Sequence, residues 1–245
     1  MKKQNILGIL LSVLSLHAFC QIKDTTEPRK EFAIGFVFCP DNSFRTLSSD
    51  GSASANYTMK QRDSSEVAKF RFNVGLTGLF EPAKNFTVET GVLFSDMGYG
   101  TTGVKLYQVT GSAGTTVQYE GMAIWNYNYY YLDVPLNLGY AYQISRLKIK
   151  LNAGIILSYW LTSTSGYTLN NGFGNASINE TMTPVLRHLN MFYDIGLGVS
   201  YDLSGNTVIY IEPTYAKSFV ATVEGAPVSE YLYTIGVNIG MYFKF

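Results

Sequence analysis

The chain has 245 residues, with 18 basic and 18 acidic side chains and a formal net charge of zero. This balance excludes a general nucleic-acid binder, which needs a basic face to neutralise phosphates. Only 15% of the residues are charged and 15% are aromatic, so the chain is too apolar to be disordered. No apolar run approaches the roughly 20 residues of a membrane-spanning helix. Two classes remain, a soluble β protein and a transmembrane β-barrel.

Residues 1–20 have the layout of a secretory signal peptide. Two lysines precede an apolar stretch over 6–16, and small residues stand at the positions that signal peptidase reads before Gln21. We predict cleavage before Gln21, which leaves 21–30 as a short periplasmic segment. The alternative is a lipoprotein in which Cys20 is acylated, but the large residue directly before Cys20 argues against it.

The body of the chain, 31–245, consists of segments in which apolar and polar residues alternate. Strict alternation predicts a strand with one apolar and one polar face, whereas a helix would scatter the two sets around its axis. The clearest case is 231–245, where every second residue is apolar or aromatic. We predict eight strands, over 32–38, 70–80, 86–95, 130–140, 147–159, 189–201, 209–215 and 231–245.

Short and long connections alternate between these segments. The short ones cover 81–85, 143–146 and 203–206, and the long ones cover 40–69, 100–126, 162–188 and 220–230. This regularity is typical of outer-membrane barrels, which have short periplasmic turns and long extracellular loops. We therefore predict an all-β fold, an eight-stranded antiparallel up-and-down transmembrane β-barrel in the outer membrane. The alternative, a soluble β-sandwich, would have to bury one apolar face per strand without a helix to cover it.

Two segments resemble a known family. The segment 131–136 (YLDVPL) is similar to the family's YLE(I/V)PL strand, and 193–199 (YDIGLGV) is glycine-rich in the same way. Over about 31–245 the chain resembles the eight-stranded outer-membrane barrels common in Bacteroidota, which are labelled PorT-like or OmpA-like. The resemblance implies the same architecture, and the PorT label implies a component of a protein-secretion or envelope complex. No peptidoglycan-binding domain is expected after Phe245.

Seven charged residues take inward positions in the predicted strands. They are Arg71, Glu89, Asp133, Lys148, Lys150, Asp194 and Glu212. The interior of an eight-stranded barrel is just wide enough for side chains to fill it, so these charges must pair with each other or with trapped water. We predict a network of ion pairs in the lumen. A proton or ion path is the alternative, and a large open pore is not expected.

The last strand carries a candidate assembly signal. Its alternating apolar residues Ile239, Met241, Phe243 and Phe245 resemble the signal read by the barrel-assembly machinery, which can pair with an exposed strand edge. The same residues also serve simply as the closing strand of the barrel. The predicted partners are therefore outer-membrane lipid, the barrel-assembly machinery and a possible envelope or secretion protein, with the barrel itself a monomer.

A long aromatic stretch supplies candidate binding residues. Trp125, Tyr127 and Tyr129 lie where a long loop meets the fourth strand, and loops on a rigid scaffold commonly carry binding. They are candidates for docking a protein, a glycan or a phage. Anchoring of the barrel rim in the lipid headgroups is the alternative.

We expect a non-enzymatic protein without cofactor or metal, with a structural or binding role. The alternative is an outer-leaflet lipid-modifying enzyme, which would need His188 to act with Ser158 or Ser163 and with Asp194. The string over 98–103 matches GxGxxG, but it ends a strand instead of opening a helix, so no dinucleotide site is expected.

Overall fold

The computed structural model describes residues 31–110, 116–170, 175–181 and 187–245. The predicted signal peptide and the segment 21–30 lie outside these residues. Within the described ranges no helix is long and apolar enough to span a membrane. The elements are β1 (Glu31–Ser49), α1 (Ala53–Ser65), β2 (Glu66–Ala83), β3 (Phe86–Thr101), β4 (Val104–Thr110), β5 (Thr116–Ile144), β6 (Leu147–Asn170), β7 (Asn175–Thr181), β8 (Leu189–Ser204), β9 (Thr207–Ser218) and β10 (Val228–Lys244).

Eight of these strands close into a ring by antiparallel pairing. The order around the ring is β1-β2-β3-β5-β6-β8-β9-β10, and it closes because β1 pairs with β10. Each ring strand lies beside the ring strands that precede and follow it along the chain, which is up-and-down topology. The predicted fold, an all-β eight-stranded antiparallel barrel, is confirmed.

The three short connections are tight turns at one end of the barrel. They join β2 to β3, β5 to β6 and β8 to β9, and two of them contain a residue with positive φ, Asn85 and Ser145. The chain ends lie at the same end, where the Phe245 N–H donates to the Phe32 carbonyl at 2.9 Å. By the rule that short turns face the periplasm, we name this the periplasmic end and its opposite the extracellular end.

The strands reach further toward the extracellular end than the sequence predicts. β1 was expected to end at Phe38, yet its pairing with β10 continues to Ser49. The long connections, predicted as loops, contain α1, β4 and β7. The physical reason is that beyond the bilayer the outer face of a strand meets water instead of lipid, so its residues need not be apolar. The alternation therefore fades, although the inward residues stay buried and the hydrogen-bonded ladder continues.

The two faces of the ring strands separate as the alternation predicts. In β1, Phe32, Ile34 and Phe36 are 45–49% exposed on the outside, whereas Ala33 and Val37 are buried inside. Outward apolar side chains of this kind recur on all eight ring strands. An apolar outer wall is what a barrel needs in hydrocarbon, because water is absent there and lipid tails cover the wall.

Candidate functional site

An ion triad of Glu89, Lys150 and Glu212 crosses the periplasmic half of the interior. Lys150 Nζ lies 2.5 Å from a Glu89 carboxylate oxygen and 3.1 Å from a Glu212 oxygen, and all three residues are buried. Nearer the periplasmic end, Lys148 pairs with Glu81 at 2.5 Å. These four predicted inward charges therefore all enter ion pairs, and Lys148 does so with a glutamate that is not among the seven.

Asp133 and Asp194 lie at mid-height in the interior. The Asn137 amide donates to Asp194 at 2.9 Å, and the Ser95 hydroxyl donates to Asp133. Both aspartates are buried, and among the described residues neither carboxylate forms an ion pair. Two of the predicted charges therefore receive hydrogen bonds from neutral donors and have no cation beside them in the described residues.

Arg71 lies apart from the other six, beside a register shift at the extracellular end of β2. Its guanidinium is 3.5 Å from Asp96 and donates to the Asn128 side chain at 2.6 Å. These partners do not belong to the predicted set. Arg71 nevertheless takes the inward face that alternation predicts, between the exposed Phe70 and Phe72 and opposite the buried Asp41. The seven charges therefore do not form one network. Three of them make the ion triad, Lys148 and Arg71 each pair with a residue outside the predicted set, and Asp133 and Asp194 form no ion pair among the described residues.

Glycines on the inner face let polar side chains meet across a strand. Asn137 on β5, Gly154 on β6 and Asp194 on β8 share one row of the sheet, and the bond from Asn137 to Asp194 passes over Gly154. Similarly, Lys150 reaches Glu212 across the glycine-rich strand β8. The glycines of the segment 193–199 therefore provide room for the interior pairs.

Gly154→Ala is expected to destabilise the barrel by about 1–3 kcal/mol, the usual cost of overpacking. A Cβ at residue 154 would lie 2.3 Å from the Leu136 carbonyl oxygen and 2.2 Å from Asn137 Oδ1. The urea midpoint of the folded barrel in detergent measures the effect. Gly205→Ala is the control, because nothing lies within 4 Å of a Cβ there. Equal midpoints for the two variants would contradict the expectation.

An aromatic core fills the extracellular half of the interior. Its buried members are Met97, Tyr99, Tyr129, Tyr131, Phe192 and Leu232. These side chains come from β3, β5, β8 and β10, so they meet in the middle of the ring. A packed core of this kind leaves no room for an aqueous channel through the extracellular half.

Helix α1 lies against the extracellular ends of β1 and β10 and is joined to the barrel by few apolar contacts. Ser52 caps its first turn by accepting from the Ala55 N–H at 3.2 Å. Ala55 is the one buried residue of the helix. Apolar burial therefore contributes little to the docking of α1, and polar contacts must hold it.

Two arginines make those polar contacts. Arg62 of α1 lies 2.7 Å from Glu230 of β10 and donates to the Tyr99 hydroxyl at 2.7 Å. Glu66 pairs with Arg62 at 2.6 Å and with Arg45 of β1 at 2.5 Å. Although burial opposes the charge, the hydrogen bonds with Glu66 and Glu230 and the nearby Tyr99 raise the pKa of Arg62 above its ordinary value. Helix α1 is thus anchored by a series of ion pairs on the extracellular side of the aromatic core. We name this series, Arg45, Glu66, Arg62 and Glu230, the ionic chain.

Arg62→Ala is expected to release α1 while the barrel stays folded. A charged hydrogen bond contributes about 1.5–3 kcal/mol, so amide hydrogens of α1 should exchange on the order of 10- to 100-fold faster. Hydrogen exchange followed by mass spectrometry measures this. Lys60→Ala is the control on the same helix, because Lys60 is exposed. Unchanged exchange in Arg62→Ala would show that the ionic chain does not hold the helix.

The three aromatic candidates lie on strand β5, not in a loop. Trp125 packs on Tyr167 of β6, with ring centroids 4.6 Å apart. Tyr127 packs on Tyr99 at 5.0 Å, and Tyr129 is buried. Tyr127 and Tyr129 therefore belong to the interior packing and are not available at a binding surface. Only Trp125 lies in the part of β5 beyond the pairing with β3.

The four residues of the candidate assembly signal follow the face predicted for them. Ile239 and Phe243 are exposed on the outer wall, and Phe245 is 82% exposed. Met241 pairs with Phe36 of β1. Strand β10 is hydrogen-bonded on both sides, to β1 and to β9, so it closes the ring. Recognition of this strand by the assembly machinery stays a prediction.

The residues considered for catalysis lie in different environments. His188 is exposed at the extracellular end, with its ring 5.4 Å from that of Trp160. Ser158, Ser163 and Asp194 are buried inside the barrel, and Asp194 is held by Asn137. Within the described part of the chain, no group of three His, Cys, Asp or Glu residues converges to hold a metal ion.

A four-stranded sheet extends beyond the ring at the extracellular end. We name it the projecting sheet; it consists of β4, the first part of β5, the last part of β6, and β7. β4 pairs with β5 from Val104 to Thr110, and β7 pairs with β6 from Asn175 to Thr181. Across its centre, β5 and β6 pair as far as Met122 and Asn170. Ile124 is exposed on this sheet.

A match to a protein family agrees with this architecture. A family model described as outer membrane protein beta-barrel domain matches residues 27–215, and no curated protein matches the chain. Similar solved structures include OprG from Pseudomonas aeruginosa (11% identity, TM-score 0.47, covering 89% of this chain and 97% of that one). Others are Neisserial surface protein A (11%, 0.43, 87% and 97%) and Ail of Yersinia pestis (10%, 0.33, 88% and 99%). Because the family model spans most of the sequence, the chain belongs to the outer membrane protein beta-barrel domain family.

Proposed function

We propose that this outer-membrane barrel is a non-enzymatic binding protein whose projecting sheet docks a protein partner outside the cell. The carrying observation is that β5 and β6 continue past the ring, with β4 and β7 added at their sides. The ring closes without β4 and β7. The residues that extend it therefore have a role other than barrel closure.

The filled interior favours a binding function over a transport function. The aromatic core occupies the extracellular half, and the ion pairs of Arg45, Glu66 and Arg62 lie beside it, with Arg62 bonded to Tyr99 of the core. An eight-stranded ring has an interior that its own side chains can fill. The outside surface is then the part of the molecule that is available for recognition, which is where barrels commonly carry their binding loops.

The edges of the projecting sheet define the kind of partner. Among the described residues, β4 pairs with β5 alone and β7 pairs with β6 alone. Each outer edge therefore presents backbone N–H and C=O groups that an extended strand can pair with. The partner that fits is a polypeptide with an extended segment.

Site-specific photo-crosslinking tests the proposal. A photoactivatable residue is placed at Lys105, which is exposed on β4, at Leu138 on the lipid-facing wall, or at Arg146 in a periplasmic turn. Irradiation of intact cells should give a crosslinked protein from position 105 and none from position 138. No product from position 105, with the barrel folded in every variant, would refute the proposed docking surface.

The PorT-like resemblance of the segment 131–136 favours a second candidate function, a component of a protein-secretion or envelope complex. The same experiment separates the two, because a partner in that complex would crosslink at Arg146 in the periplasm. Deletion of the protein would also reduce secretion. With either function we also propose that the protein comes from a Bacteroidota species and is exported with a signal peptide cleaved before Gln21. We further propose that it is assembled through its last strand and stays a monomeric barrel in lipid.

A further inference from the structure

A polar chamber lies at mid-height in the barrel, between the ion triad and the aromatic core. Its volume is about 60 Å³, and its lining includes Glu89 of the triad and Met97 of the core. A cavity needs only about 10–15 Å³ of such space for one water molecule. The chamber is therefore large enough for a small group of waters or for an ion with part of its hydration shell.

The charges that line the chamber have one sign. Three carboxylates face it, those of Glu89, Asp133 and Asp194, and none of its lining residues is a lysine or an arginine. The negative charge of Glu89 is balanced by Lys150, which does not itself line the chamber. Asp133 and Asp194 receive hydrogen bonds from Ser95 and Asn137 but no ion pair within the described residues.

Buried oxygen atoms without hydrogen-bond donors also favour a cation in the chamber. Among Asp133, Asp194 and Asn137, the Oδ1 atoms of the last two are buried without a hydrogen-bond donor, and Asp133 Oδ1 has the hydroxyl of its cross-strand neighbour Ser158 beside it. The three residues are 3%, 6% and 7% exposed, and all three line the chamber. Buried acceptors without donors are costly, and buried negative charge without a counter-charge costs far more. A cation in the chamber would supply both the missing contacts to these oxygens and the counter-charge.

The arrangement of the oxygen ligands favours a monovalent over a divalent cation. Calcium binds through six to eight oxygens, several of them from converging carboxylates. In the described residues no three acidic, histidine or cysteine side chains converge in this way. A monovalent cation that keeps part of its water shell is satisfied by two carboxylates and an amide oxygen instead.

We infer that the chamber is a binding site for a hydrated monovalent cation, Na⁺ or K⁺, held by Asp133 and Asp194 with the Asn137 amide oxygen. The aromatic core blocks access from outside the cell. A second cavity reaches from Glu31 and Lys244 at the periplasmic end to Lys150 and Glu212 of the triad. The ion therefore exchanges with the periplasm, past the triad, and does not cross the membrane.

Thallous ions provide a direct test, because they replace potassium and scatter X-rays anomalously. Crystals of the folded protein soaked in thallous acetate should show an anomalous peak in the chamber. The apparent melting temperature should also be about 3 °C higher in sodium chloride than in N-methylglucamine chloride at equal ionic strength. The bulky organic cation cannot enter the chamber, so it serves as the reference.

Isosteric variants complete the test. The combined change Asp133→Asn and Asp194→Asn should abolish the peak and the sodium-dependent shift. Asp202→Asn should keep both, because Asp202 lies at the periplasmic end and pairs with Lys244 at 3.0 Å. No peak in the wild-type chamber together with equal melting temperatures in the two salts would overturn the inference, and so would stabilisation by Mg²⁺ alone. The wild-type measurements decide the matter even if the double variant fails to fold.

Discussion

Lys150→Met should lower the free energy of unfolding by about 3–5 kcal/mol, the cost of leaving a buried charge without its partner. The substitution removes the cation that lies 2.5 Å from Glu89 and 3.1 Å from Glu212. Both glutamates would then remain buried with like charges close together. Urea unfolding of the barrel in lipid vesicles, followed by its heat-modifiable gel mobility, measures the loss.

Two further variants make the test of Lys150 specific. Lys148→Met should lower the free energy of unfolding by less, because Lys148 and Glu81 lie nearer the periplasmic end and are more exposed to water. Combining Lys150→Met with Glu89→Gln and Glu212→Gln should restore most of the lost stability, since no buried charge is then uncompensated. If Lys150→Met and Lys148→Met unfold at the same urea concentration, the ion triad does not have the role assigned to it.

The ring could be predicted from the sequence because lipid and lumen impose opposite requirements on alternate residues. The eight segments are strongly patterned where the bilayer surrounds them. The pattern ends outside the bilayer, and there the prediction failed. Asp41, Ser43 and Arg45 continue the inward alternation of Cys39 in β1, but the residues between them are no longer uniformly apolar. If only the inward residues are followed beyond Cys39, the sequence predicts the longer β1 that the structure shows.

The pairing of the interior charges was beyond sequence reasoning. Lys150 and Glu89 are 61 residues apart and lie on β6 and β3, with β5 between them. Which lysine meets which glutamate depends on the stagger of the strands around the ring, and no local spacing records that stagger. The ionic chain of Arg45, Glu66 and Arg62 was missed for a similar reason, because the segment that contains α1 was expected to be loop.

In the aromatic stretch, alternation already indicates which tyrosines face the interior. Asp133 was predicted to point inward, so alternation also places Tyr131 and Tyr129 inside. The structure buries both of these tyrosines. Their abundance near the extracellular end favoured a membrane rim or a binding loop, yet they form part of the core that closes the barrel.

Val237→Arg should block stable insertion, at a cost of about 2–4 kcal/mol for an arginine near the bilayer midplane. Val237 occupies the middle of β10 between the exposed outward residues Ile235 and Ile239. On this face the guanidinium would enter hydrocarbon, with no counter-charge placed by the barrel. The fraction of folded protein in the outer membrane, read from gel mobility before and after boiling, gives the result.

Asn238→Arg is the matched control, one residue along the same strand. Asn238 faces the lumen and donates to Glu212 at 3.2 Å, so an arginine there would meet a carboxylate and should be tolerated better. Aspartate would be a poorer choice at residue 238, because it would add a like charge beside Glu212. A milder effect at 238 than at 237 follows from the period of two, which turns adjacent residues to opposite faces. Equal loss of folded protein in both variants would show that the faces of β10 are assigned wrongly.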